Sequence, residues 1–112
     1  MADYNAPLSG VVVRREIRSM SDIDQRRVCA AIHKMMQDGQ FLRLASYHDL
    51  HCAHGEETFP GWHRAYLLDF ERTMRRADKS LGGDGNIGLP YWNWANLDVG
   101  GQTYPRIIAE DM

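Results

Sequence analysis

The sequence has few cysteines, little net charge and no long apolar run, and each shortage argues against a class of protein. Two cysteines in 112 residues do not make a disulfide framework. A net charge of −2 argues against binding to nucleic acid or to an anionic membrane. No apolar run approaches the ~20 residues of a membrane span, and the start of the chain lacks the basic and apolar regions of a signal peptide. We therefore expect a small cytoplasmic protein that binds neither nucleic acid nor membranes.

Histidine, by contrast, is concentrated in one stretch. Four of the five histidines lie between Tyr47 and Met74, and three of them, His48, His54 and His63, follow the spacing H-x5-H-x8-H. Imidazole is the commonest metal-ligating side chain near neutral pH. A set of imidazoles suits zinc, copper, iron or nickel, whereas calcium and magnesium prefer oxygen ligands. The stretch therefore predicts a metal site.

Apolar periodicity predicts three helices, near residues 22–38, 40–50 and 60–77. Ser21 is a favourable N-cap for the first helix, and Gly39 is a favourable stop. Pro60 suits the first turn of the third helix. The aromatic residues at helical spacing and near the C-terminus are predicted to lie in the core: Trp62, Tyr66, Phe70, Trp92 and Trp94.

Two of the clustered histidines lie on apolar faces of predicted helices. In the second predicted helix, His48 follows Phe41 and Leu44 at helical spacing. In the third, His63 and Phe70 lie on one apolar face. A helical bundle builds a metal site from inward-facing side chains of this kind. His33, beside a lysine on the first helix, is predicted to be solvated.

The motifs around these histidines are those of a known family. They are Ala45-Ser46-Tyr47-His48, Cys52-Ala53-His54-Gly55, Thr58-Phe59-Pro60-Gly61-Trp62-His63-Arg64-Ala65-Tyr66 and Leu89-Pro90-Tyr91-Trp92-Asn93-Trp94. Together they resemble the copper A half-site of the type-3 copper superfamily, which contains tyrosinases, catechol oxidases and molluscan-type haemocyanins. The pairing of F-P-x-W-H-R with P-Y-W-x-W is specific.

The resemblance implies a mainly α-helical chain that forms half of an antiparallel helical bundle with irregular loops. Residues 1–20 would form an N-terminal arm, and residues 21–112 the copper A half of a tyrosinase-like domain. One copper per chain would be held by His48, His54 and His63. The resemblance also implies a thioether bond between Cys52 and His54, although a buried free thiol remains an alternative, and it places Phe59 close to the copper pair.

Two departures from the family pattern leave alternatives open. Only five residues separate His48 from His54, where relatives usually have a longer loop, so His51 is a rival to His48 as the first ligand. Asn93 stands where relatives usually have aspartate, so an ionic partner of that position is in question.

The count of histidines limits what the chain does alone. The superfamily binds dioxygen between two coppers, each held by three histidines, and this chain has five histidines in all. We therefore expect a partner, either a second chain or fragment with the copper B half or a second copy. The resemblance then implies an oxidoreductase that uses dioxygen to oxidise phenols or o-diphenols to o-quinones. A haemocyanin-like oxygen carrier is the alternative, and a zinc-binding structural module is a third possibility.

Overall fold

The computed structural model describes residues 1–51 and 55–111, with the backbone alone at Glu110 and Asp111. Three packed helices dominate it, and the part of the chain that is described contains no β-strand. The elements are a 3₁₀ turn Ile17–Ser19, helix α1 (Asp22–Gln37), helix α2 (Gln40–His51), helix α3 (Phe59–Ser80) and a π-helical turn Ile107–Asp111. The prediction of a mainly α-helical chain is confirmed. None of the described helices is long and apolar enough to cross a membrane.

The ends of α1 follow from local chemistry. The Ser21 hydroxyl accepts a hydrogen bond from the amide of Asp24 at 3.1 Å, which caps the helix. Gly39, with φ of +77°, follows its last turn and allows the chain to reverse into α2. Both predicted boundary signals are therefore used.

Helix α3 is longer than predicted and ends at Ser80 rather than near residue 77. The extra turn is anchored by Asp78, which is buried. Its carboxylate accepts hydrogen bonds from the Arg27 guanidinium at 2.8 Å and from the Gly85 amide at 3.0 Å. These polar bonds have no counterpart in the apolar pattern, so the apolar periodicity predicted an end of the helix that is too early.

One apolar cluster holds the three helices together. Its buried members are Val28, Ala31, Ile32, Met35, Leu44, Met74, Ala77 and Ile87. Tyr66 and Phe70 of α3 and Phe41 of α2 pack against this cluster while remaining partly exposed. These aromatic side chains of α2 and α3 therefore pack directly against the core.

The N-terminal arm is irregular, and hydrogen bonds hold it against α3. The side chains of Arg75 and Arg76 donate hydrogen bonds to the carbonyls of Ser9 and Ala6, at 2.7 and 2.9 Å. Arg75 also donates to the carbonyl of Gly85 at 2.7 Å and is itself buried. Arginine side chains of α3 thus hold the arm through its backbone carbonyls. The pattern of side chains in the sequence does not predict such bonds.

A buried ion pair joins the arm to the C-terminal segment. The carboxylate of Glu16 accepts hydrogen bonds from the Arg18 guanidinium and from the amide of Asn93, both at 2.8 Å. Arg18 also donates to the carbonyls of Gln102 and Thr103, each at 3.1 Å. These bonds hold the pKa of Glu16 at about 2, with the side-chain hydrogen bonds from Arg18 as the largest cause.

The prediction that the tryptophans after α3 lie in the core is wrong. Trp92 is 37% exposed and Trp94 is 75% exposed. This segment is attached through its backbone to Glu16 and Arg18, so its rings are not required to point inward. Trp62, Tyr66 and Phe70 are half-buried, between the predicted core and the surface.

Candidate metal centre

Helices α2 and α3 bring His48 and His63 face to face. Leu44 of α2 contacts Tyr66 of α3, and His48, which lies later in α2, contacts His63, which lies earlier in α3. The two helices therefore run antiparallel. The centroids of the two imidazole rings are 5.6 Å apart, with an interplanar angle of 78°. The sequence interpretation that both histidines face inward is in agreement with this arrangement.

The backbone orients the His63 ring. Its Nδ1 lies 2.9 Å from the carbonyl oxygen of Phe59, one turn earlier in α3. A carbonyl oxygen only accepts, so in the neutral ring Nδ1 carries the proton and the ring lone pair is on Nε2. This is the tautomer in which Nε2 serves as a metal ligand, with the other nitrogen held by a hydrogen bond.

The separation of the two rings suits a shared metal ion. Imidazole nitrogen binds a first-row metal at about 2 Å, so each ring centroid lies about 3 Å from the ion and two centroids lie up to about 6 Å apart. The 5.6 Å between His48 and His63 is within that limit. The donor set of two imidazoles therefore fits a nitrogen-preferring transition metal.

Aromatic rings surround the two histidines. The Phe59 ring lies 4.1 Å from the His63 ring, so the residue predicted to be near the metal lies against a candidate ligand. Trp62 contacts His63 at 4.8 Å and His48 at 6.0 Å, measured between centroids. Tyr66 stacks on Trp62 at 5.2 Å and contacts His48 at 5.8 Å. The rings limit how far either imidazole can turn.

The other two described histidines lie elsewhere. His51 is exposed at the end of α2, and its ring centroid is 5.9 Å from that of Tyr47. His33 is exposed on α1, as predicted for a solvated side chain, with its Nε2 3.9 Å from the sulfur of Cys29.

Two of the predicted site residues, Cys52 and His54, lie outside the described residues. The third ligand and the thioether bond therefore stay predictions. Within the described part of the chain, no group of three or more ligating side chains gathers. The described part of the candidate metal site consists of His48, His63 and the aromatic residues around them.

Polar contacts that the sequence interpretation missed tie α2 to α3 beside the site. The Arg43 guanidinium pairs with Asp69 at 3.1 Å and donates to the hydroxyl of Thr73 at 3.2 Å. The Tyr66 hydroxyl donates to the carbonyl of Leu44 at 3.0 Å. Burial, the largest cause, raises the pKa of Tyr66, so the hydroxyl stays protonated and able to donate.

Comparison with known proteins identifies the family. A sequence family described as the common central domain of tyrosinase matches residues 24–110 of this chain, which include both facing histidines. The chain belongs to the tyrosinase family. This tyrosinase-family chain is therefore a copper protein of the superfamily that also contains the haemocyanins. Copper is accordingly the metal to consider for the paired imidazoles.

Both haemocyanins and tyrosinases are among the proteins similar to this chain. Units Oda to Odg of the G-type hemocyanin of Enteroctopus dofleini are 33% identical over 97% of the chain, which covers 4% of that protein. The putative tyrosinase-like protein tyr-3 of Caenorhabditis elegans is 36% identical over 80% of the chain and 12% of the relative. The tyrosinase of Streptomyces glaucescens is 27% identical over 76% of the chain and 32% of the relative. The chain thus spans a third or less of these proteins. No solved structure matches it.

Proposed function

We propose that this chain is the copper A half of a binuclear oxidoreductase that uses dioxygen to oxidise phenols or o-diphenols to o-quinones. The observation that carries the proposal is the pairing of His48 and His63 across α2 and α3, at 5.6 Å and with the His63 tautomer set by a carbonyl. Family membership supplies copper as the metal. Copper in such a site supplies one-electron redox chemistry and affinity for dioxygen.

His48, His54 and His63 form the proposed ligand set. His48 is preferred to His51 because its ring faces His63, whereas His51 is exposed at the helix end near Tyr47. His54 completes the three imidazoles from the connection between the two helices, and a thioether bond from Cys52 would restrict its ring before metal binds.

The residues of this chain hold the site rather than carry out proton transfer. The Phe59 carbonyl keeps the proton of the neutral His63 ring on Nδ1, so the lone pair that would bind metal is on Nε2. Phe59 is 40% exposed while its ring lies against the His63 ring, so Phe59 connects this edge of the site to the protein surface. We place the approach of a planar phenol on this side of the site.

The proposal requires a partner, and we favour a second chain or fragment with the copper B half over a second copy. Three of the five histidines are assigned to one copper, so a second three-histidine site has to come from elsewhere. Large apolar side chains at the surface support a docked partner: Leu42, Leu50, Trp94 and Leu97 are each more than 70% exposed. Relatives several times longer than this chain are compatible with such a second half.

Reversible dioxygen binding without catalysis is the second candidate function. The observation in its favour is that a relative aligned over 97% of the chain is a hemocyanin. Both functions use the same copper A residues, so the difference lies in whether a phenol reaches the metal pair.

The test is to reconstitute the chain with copper and to add dioxygen and a catechol. The chain is assayed alone and mixed with the copper B half of a relative such as the Streptomyces glaucescens tyrosinase. Appearance of o-quinone, dependent on both copper and dioxygen, supports the oxidase. A reversible oxygen-dependent absorption band without quinone supports the carrier. Absence of any oxygen-dependent change in either preparation rejects both copper functions and leaves the zinc module.

A further inference from the structure

The Tyr66 hydroxyl makes a bond between the two helices that carry the facing histidines. It donates to the carbonyl of Leu44 at 3.0 Å, from the first half of α3 to the middle of α2. Leu44 is 1% exposed, so its end of this bond is inside the protein. Leu44 lies one helical turn before His48, and Tyr66 lies about one turn after His63.

We propose that Tyr66 is a positioning residue whose hydroxyl fixes the spacing of His48 and His63. As a statement about copper, this rests on the function proposed above. In an α-helix the carbonyl of residue i accepts from the amide of residue i+4, so the carbonyl of Leu44 is also the acceptor for the amide of His48. The tyrosine hydroxyl is thereby attached to the same backbone oxygen that holds the backbone of His48.

The Tyr66 ring acts at the same place. It stacks on Trp62, with centroids 5.2 Å apart and planes 11° from parallel, and it lies 5.8 Å from the His48 ring. Trp62 in turn contacts His63 at 4.8 Å. A ring that is fixed by its own hydroxyl therefore limits the positions of both imidazoles.

The other described polar links between the helices both come from the Arg43 guanidinium, which bonds to Asp69 and to the Thr73 hydroxyl, and they are less suited to this task. Arg43 and Asp69 pair with side chains that are 35% and 47% exposed, and such exposed pairs contribute little to stability. A long, solvated ion pair also tolerates movement of its ends. The tyrosine hydroxyl, on a short rigid ring and bonded to a buried carbonyl, tolerates less.

The test is Tyr66→Phe, which keeps the ring and removes only the hydroxyl. The matched control is Tyr4→Phe, because the Tyr4 hydroxyl also links two distant parts of the chain, donating to Asp38 at 2.8 Å, but not α2 to α3. The first readout needs no metal: amide hydrogen exchange measured by NMR on the 112-residue chain. Loss of a net hydrogen bond worth about 1 kcal/mol predicts about fivefold faster exchange at His48 in Tyr66→Phe, with no local change in the control.

The second readout is the copper dissociation constant, measured by competition with a chelator, together with the Cu(II) paramagnetic resonance spectrum. Loss of a group that supports metal ligands predicts about tenfold weaker binding and an altered spectrum for Tyr66→Phe, and values within about twofold of wild type for Tyr4→Phe. Equal exchange and equal affinity in the two variants would overturn the proposal. If the wild-type chain bound no copper, the proposed function would fail, and the exchange comparison alone would still decide whether the hydroxyl sets the spacing.

Discussion

Replacing Glu16 by Gln removes the charge partner of a fully buried arginine. The Glu16 side chain is 11% exposed and that of Arg18 is 0% exposed, so neither group exchanges its partner for water. One carboxylate oxygen accepts from the amide and Nε of Arg18, at 2.7 and 3.1 Å. The other accepts from Nη2 of Arg18 and from the amide of Asn93, both at 2.8 Å. Whichever oxygen becomes an NH₂ group, two of these four bonds are lost.

The expected cost follows from these bonds. Hydrogen bonds to charged groups contribute about 1.5–3 kcal/mol each, so two of them amount to about 3–6 kcal/mol. Removing one partner of a buried ion pair costs about 3–5 kcal/mol. We therefore expect Glu16→Gln to lower the free energy of unfolding by about 3–5 kcal/mol, a large part of the ~5–15 kcal/mol of an ordinary domain.

The assay is urea unfolding of the chain, followed by circular dichroism and by tryptophan fluorescence. Asp84→Asn is the matched control, since it also turns a carboxylate into an amide and also removes a negative charge beside an arginine, whose Nη2 (Arg27) lies 2.9 Å from Asp84. The Asp84 side chain is 69% exposed, so we expect a loss much smaller than that of Glu16→Gln. Equal losses for Glu16→Gln and Asp84→Asn would refute the reasoning that burial makes the Glu16 pair important.

Three further predictions concern acid, two glycines and a covalent bond. The pKa of Glu16 falls from 4.5 to about 2 on folding, so the stability that its carboxylate contributes is complete above about pH 4.5 and is lost as the pH falls towards 2. The difference in unfolding free energy between the wild type and Glu16→Gln should therefore shrink over that range. A Cβ at Gly88 would collide with a backbone carbonyl of the arm, whereas one at Gly61 in α3 meets no described residue within 4 Å. In thermal unfolding, Gly88→Ala should cost about 1–3 kcal/mol and Gly61→Ala should add about 0.4–1 kcal/mol. A thioether between Cys52 and His54 should lower the intact mass by two hydrogens, and Cys52→Ser should abolish that loss.

The helices were predictable from the sequence because local chemistry determines them. Ser21 caps α1, and apolar spacing along α2 and α3 correctly predicts that His48 and His63 face inward. The rings of these histidines lie on helices whose other inward residues form the core, so periodicity was enough to bring them together.

What the sequence could not reveal depends on contacts between distant residues. Glu16 and Arg18 stand two residues apart in an irregular arm, and their other partners come from the far end of the chain. The exposure of Trp94 could not be predicted either, because aromatic character indicates burial without saying whether this chain or a partner provides the cover. The bond from Tyr66 to Leu44 was missed because an aromatic at helical spacing predicts packing and says nothing about its hydroxyl.

The measurement that tests the central claim most directly is the copper content of the purified chain after reconstitution and removal of loosely bound metal. We expect one copper per chain in the wild type, none in His63→Ala, and one in His33→Ala, because His33 is exposed on α1. His48→Ala and His51→Ala decide the remaining ligand, and we expect copper to be lost only from the first. Retention of one copper by His63→Ala, or its loss from His51→Ala and not from His48→Ala, would contradict the site described above.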